Sequence, residues 1–104
     1  MKTRDDICRI LNTHRDALLA EWPIEQLWLF GSVARNEQQP GSDVDLLVTF
    51  SKPMGWDFFD MTQALSALLN EKIDLIPKSA IKPRYWERIA PDVVEVFSRA
   101  KTVS

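Results

Sequence analysis

A chain of 104 residues, 45% hydrophobic and 27% charged, has room for one compact domain with a real core, so a single domain over residues 1–104 is expected. Its net charge of -2 lacks the basic excess that gripping a phosphate backbone requires, which argues against direct nucleic-acid binding but leaves a metal-bridged nucleotide open. The single cysteine, Cys8, excludes an internal disulfide, and no apolar run reaches the ~18 residues of a spanning helix, so a cytoplasmic chain without signal peptide or membrane segment is expected.

Thr3 followed by Asp5 and Asp6 predicts a helix start, with acidic groups at the positive end of the dipole. Ile7, Ile10, Leu11, Leu18 and Leu19 recur at helical spacing and predict one amphipathic helix to Glu21-Trp22, before Pro23. His14 falls near that apolar stripe and reads as a packing side chain, with no second histidine to complete a zinc site. Cys8 reads as an inert thiol. Leu27 to Phe30 is an unbroken apolar run ended by Gly31, the pattern of a strand buried on both faces.

Gly31 to Arg35 reads as a turn into a short helix, and Asn36 to Ser42 has loop composition. Val44 to Phe50 predicts a second strand, broken by Ser51 to Gly55. Trp56 to Asn70 predicts a helix through Phe58, Met61, Leu65, Leu68 and Leu69. Lys72 to Ile76 predicts a third strand, ended by Pro77. A helix over Lys82 to Ile89 tolerates Pro83 in its first turn, and Val93 to Phe97 reads as a final strand at a sheet edge. The alternating order implies an α/β fold, a small mixed β-sheet with helices packed on it. The tryptophans read mainly as core or core-edge residues, but Trp22, Trp56 and Tyr85-Trp86 lie near element ends, where an aromatic can serve a protein interface.

Asp43 and Asp45 stand two positions apart at the start of a strand, so their side chains share one face, roughly 6.5 to 7 Å apart. Two like charges so placed repel each other unless a cation lies between them. A pair of divalent ions roughly 3.5 to 4 Å apart, the arrangement for in-line nucleotidyl displacement, fits that face. Asp74, flanked by Ile73 and Leu75, can bring a third carboxylate to the same cleft if the strands pair; the alternative is a structural ion pair with Lys72 or Arg35. Gly31 lets the backbone approach a phosphate closely, and Ser32 adds a hydroxyl donor. Arg35 suits a phosphate contact and a structural salt bridge equally.

Gly31-Ser32, ten intervening residues, then Asp43-Val44-Asp45 resembles the GSx10DxD signature of the DNA polymerase beta-type nucleotidyltransferase superfamily. The fuller string GSVARNEQQPGSDVDLLV resembles its minimal nucleotidyltransferase (MNT) branch, over residues from about 27 to 97. One departure is Asn36, where the family usually has glycine; asparagine tolerates a left-handed backbone better than most residues. The resemblance implies a polymerase beta-type fold, with Asp43, Asp45 and Asp74 as catalytic metal ligands for two Mg2+ ions. Gly31, Ser32, Arg35 and Ser42 would then bind ATP.

Members of the minimal branch are often antitoxins paired with a HEPN-domain ribonuclease toxin. The resemblance therefore implies a type VII-like HEPN–MNT pair, a hetero-oligomer in which this chain transfers AMP from Mg-ATP to a tyrosine hydroxyl of the toxin. At 104 residues the chain is expected to lack an acceptor-binding domain, so its acceptor would arrive on another protein. Two alternatives stay open: neutralisation of the partner by binding alone, and transfer to a small-molecule hydroxyl.

Overall fold

In the computed structural model, which describes residues 2–100, Thr3 caps a first helix, α1 (Arg4–Thr13). The Asp6 N–H donates to the Thr3 hydroxyl at 3.2 Å while the Thr3 N–H donates to Asp6 Oδ2 at 3.1 Å, satisfying two orphan donors reciprocally. The single helix expected as far as Trp22 is in fact two. A turn at His14 separates α1 from α2 (Arg15–Glu21), and His14 is exposed rather than packed. The Asn12 amide, the Thr13 hydroxyl and the His14 ring all turn back onto carbonyls of the preceding turn, at 3.0, 2.8 and 2.9 Å. Such local side-chain bonds compete with the helix ladder and favour a break.

The strand β1 (Ile24–Phe30) begins directly after Pro23, earlier than its apolar run. A one-turn helix, α3 (Gly31–Ala34), leads into the loop, and β2 (Val44–Phe50) spans the residues expected of it. Then come α4 (Asp57–Leu69), β3 (Ile73–Pro77), α5 (Pro83–Ile89) and β4 (Val94–Ser98). The sheet order is β3-β2-β1-β4. β1 runs antiparallel to β2 and β4, whereas β2 and β3 are parallel, joined by α4. Pro77 is tolerated in β3 because that strand is an edge. The small mixed sheet with packed helices is the architecture that the alternating pattern predicts.

Ile7 and Leu11 of α1, Leu18 of α2, and Met61, Leu65 and Leu69 of α4 pack with Leu27, Leu29, Leu46 and Val48 in the main core, which covers one face of the sheet. The other face is smaller: Trp28, Phe30 and Leu47 lie under Trp86 and Ile89 of α5. Lys78 Nζ sits over both Trp28 and Trp86, 5.2 and 4.6 Å from the ring centroids, and clamps α5 to β1. Among the described residues no helix is long and apolar enough to cross a membrane.

Leu29, fully buried on the central strand β1, tests the main core. Leu29→Ala is expected to cost about 3 kcal/mol, and thermal melts should show the midpoint falling by more than about 10 °C. A fall of only a degree or two would contradict this packing.

Candidate active site

Strand alternation decides which side chains meet above the smaller face. Leu46 and Val48 of β2 enter the main core while Leu47 belongs to the α5 side, so Asp45, two residues before Leu47, shares that side. Across the sheet Asp45 is the register partner of Asp74 on β3 and of Phe30 on β1. The two aspartates therefore lie side by side on neighbouring strands, about 4.8 Å apart in backbone spacing. Asp43 stands two residues before Asp45, just outside β2.

Although Ile73 and Leu75 flank it, Asp74 is exposed, because β3 is an edge strand. The burial penalty falls instead on the half-buried Asp45. Lys72 approaches Asp43 (3.9 Å), not Asp74, and is 82% exposed, so it screens little. Burial first, then the charges of Asp74 and Asp43, push the Asp45 carboxyl up to about 6, with Arg35 pulling weakly the other way.

This raised value has a consequence for stability. The folded chain binds the Asp45 proton more tightly than the unfolded chain does, so stability falls as pH rises from 3.8 to about 6 and stays lower above that window. After allowance for solvent screening of a half-buried group, the loss is about 1 kcal/mol. Asp45→Asn in metal-free buffer should therefore raise the melting temperature at pH 8 and not at pH 3.5. A gain of equal size at both pH values would show that the effect does not come from the Asp45 charge.

Gly31 occupies the turn between β1 and α3 with φ +73°, and a Cβ there would overlap Asp45 Oδ2 and stand 3.1 Å from Asp45 Cγ. Only glycine admits both this backbone and this contact. Next to it, the half-buried Ser32 has a hydroxyl that no protein group engages among the described residues. With only one turn, α3 carries little dipole, but its first N–H groups lack intrahelical partners. Asn36 takes the left-handed conformation, φ 57°, and its Oδ1 accepts from the Arg4 N–H at 3.3 Å, so the turn forms without the family glycine.

Arg35 is engaged, with Nε 3.1 Å from Glu37 Oε2 and Nη1 3.6 Å from Asp92 Oδ2. Ser42 lies apart in the loop, where its hydroxyl accepts from the Gln39 N–H and its own N–H donates to the Gln39 carbonyl, both at 2.9 Å.

A cavity of about 440 Å³ lies over this arrangement, within the ~300–1,000 Å³ of small-ligand sites. One wall is Phe30, Gly31, Ser32, Arg35 and Asp45; the other is Tyr85, Arg88, Ile89 and Asp92. The second wall was not anticipated from sequence, although its spacing of three, one and three residues is a helical face. Asp43 and Asp74 flank Asp45 outside the lining. A larger cavity of about 750 Å³, towards the C-terminal ends of β2 and β3, is lined by Val48 to Met54, Phe58, Pro77 and Ser79 and contains no carboxylate. The smaller cavity is the one with reactive chemistry. Among the described residues no three His, Cys, Asp or Glu side chains gather closely enough to hold a metal ion as they stand.

A mixed sheet with a glycine turn after its first strand and paired carboxylates on the next two strands, β2 and β3, defines a polymerase beta-type nucleotidyltransferase fold. The chain belongs to the nucleotidyltransferase domain family, whose profile matches residues 11–98, and is thus a nucleotide-transferring enzyme. MJ0128 of Methanocaldococcus jannaschii is 41% identical over 98 residues, spanning 92% of this chain and 100% of that protein. Protein adenylyltransferase MntA of Thermococcus cleftensis is 34% identical over 97 residues, spanning 92% of this chain and 98% of that one. Kinship with the minimal branch, expected from the string GSVARNEQQPGSDVDLLV, therefore holds.

Solved structures share the fold. A crystal structure of a toxin-antitoxin with AMP-PNP superposes with a TM-score of 0.67 at 18% identity, over 83% of this chain and 72% of that one. The tri-AMPylated Shewanella oneidensis HEPN toxin in complex with MNT antitoxin gives a TM-score of 0.61 at 15% identity, over 88% and 72%.

Proposed function

We propose that this chain is an antitoxin that acts as a protein adenylyltransferase, moving AMP from Mg-ATP onto a tyrosine hydroxyl of a HEPN ribonuclease partner in a hetero-oligomer. The observation that carries this reading is the placement of Asp45 against Gly31, with Asp74 in register beside it. Phosphate-approaching backbone and charge-bearing carboxylates meet at one spot. The similarity to MntA and to the HEPN–MNT complex supplies the acceptor class.

Asp43, Asp45 and Asp74 are hard oxygen donors, with the Asp45 pKa raised by burial first and then by its two neighbours, and this donor chemistry suits a divalent cation once the side chains rotate together. They would hold two magnesium ions, which neutralise charge on the phosphate oxygens when bound. Gly31 and Ser32 position the β- and γ-phosphates so that the α-phosphorus faces the acceptor in line. The tyrosine oxygen attacks the α-phosphorus, the bond to the β-phosphate oxygen breaks, and pyrophosphate leaves. Asp74, exposed at the sheet edge, takes the phenolic proton.

Purified HEPN partner incubated with this chain and ATP should acquire label from the α-phosphate and none from the γ-phosphate. Label from the γ-phosphate would make the chain a kinase and sink the proposal. Neutralisation by binding alone draws on Trp56, 95% exposed, and its exposed neighbour Phe59. That second reading predicts silencing of the partner without ATP.

A further inference from the structure

We propose that α5 supplies the second half of the nucleotide site, with Arg88 pairing to the triphosphate oxygens and the Tyr85 ring stacking on the nucleobase. This rests on the nucleotide-transfer reading above and adds the residues that fix affinity and base contact.

Three observations carry it. First, the cavity that holds Gly31, Ser32 and Asp45 is closed on its other side by Tyr85, Arg88, Ile89 and Asp92, one face of α5 and the turn after it. Second, the two arginines of the cavity differ in what they already do. Arg35 is occupied by Glu37 and Asp92, whereas Arg88 is exposed and has no carboxylate within salt-bridge distance among the described residues. A triphosphate entering beside Asp45 meets a wall of like charge on the strand side and needs a cation opposite. Arg88 provides it with a planar fork suited to phosphate oxygens, and breaks no existing pair in doing so.

Third, Tyr85 is 47% exposed although it lines the cavity, and it is the only tyrosine of the chain. An aromatic face left open in the cavity lining, one helical turn before Ile89, suits a flat heterocycle. The wall is also fixed in place. Trp86, which faces the sheet, stacks under Lys78 and shares the smaller core with Ile89, so the α5 backbone is held where Tyr85 and Arg88 need it. With phosphates at Gly31-Ser32 and the base at Tyr85, the nucleotide lies across the cavity rather than along the sheet.

The test is calorimetric titration of the full chain with magnesium and either AMP-PNP or inorganic tripolyphosphate. Arg88→Ala should weaken both probes by roughly ten- to a hundredfold, the range for a charge-assisted contact of about 1.5–3 kcal/mol. Tyr85→Ala should weaken AMP-PNP by about threefold or more and leave tripolyphosphate unchanged, as the loss of about 1 kcal/mol of stacking implies. Tyr85→Phe, which keeps the ring, should bind both like the wild type. Both residues are exposed, and an unchanged melting temperature confirms that the variants are folded. AMP-PNP binding by Arg88→Ala within twofold of wild type overturns the proposal, as does a Tyr85→Ala loss that is equal for both probes. If the wild-type chain binds no AMP-PNP at all, the nucleotide reading itself fails, a result distinct from either of these.

Discussion

Gly31→Ala is expected to remove nucleotidyl transfer almost completely while the protein stays folded. Two effects add at this position. A left-handed backbone at φ +73° disfavours any side chain by roughly 1–2 kcal/mol. Beyond that, the new methyl group would fall on the Asp45 carboxylate and crowd its Cγ and Cβ, so the whole side chain must turn away rather than flex at its tip. A catalytic carboxylate displaced by about 1 Å costs on the order of 100-fold in rate. Gly41→Ala is the matching control. Gly41 is also left-handed, at φ +88°, but nothing lies within 4 Å of where its Cβ would be. It should lose similar stability and retain transfer. If Gly41→Ala lost as much transfer as Gly31→Ala, backbone strain alone would explain both, and the contact with Asp45 would be irrelevant.

Asp45→Asn should give the second large effect, with opposite signs on activity and stability. Asparagine keeps the shape and one oxygen but removes the charge that a divalent cation and a transferring phosphate need. Loss of several kcal/mol of transition-state stabilisation corresponds to a fall on the order of 1,000-fold in the transfer rate. The same variant should be more stable above pH 6 without metal, because it removes a charge penalised by burial first and then by Asp74 and Asp43. A residue that merely held the fold together would show both quantities falling. Steady-state rates at saturating magnesium, set beside melting curves in a chelator, separate the two cases; a variant both inactive and destabilised would contradict the role given to Asp45.

Much of the architecture was legible because the strands have sharp compositional edges. Val44 to Phe50 is bounded by a loop-forming stretch on one side and Ser51 to Gly55 on the other, and its two-residue period places Asp43 and Asp45 together without further information. The Gly31-Ser32 spacing pointed to the turn that the structure places against Asp45. What could not be read depends on contacts between distant segments or on local bonds that periodicity ignores. The break at His14 comes from three side chains bonding back to the preceding turn, while the apolar positions on either side of it keep their helical spacing. Asp74 looks buried between Ile73 and Leu75, and only the strand order reveals that it lies on an edge. One of the two ion pairs of Arg35 is to Asp92, far along the chain, and the second wall of the cavity exists only because α5 folds back over Trp28 and Phe30.

The most direct test of the account is transfer of labelled α-phosphate from ATP to the HEPN partner by the wild type and by the double variant Asp43→Ala, Asp45→Ala. Label is expected on the partner with the wild type and none with the double variant, although the variant remains folded and still co-purifies with the partner. Label transfer that persists in the double variant would contradict the account and move the chemistry to another part of the molecule.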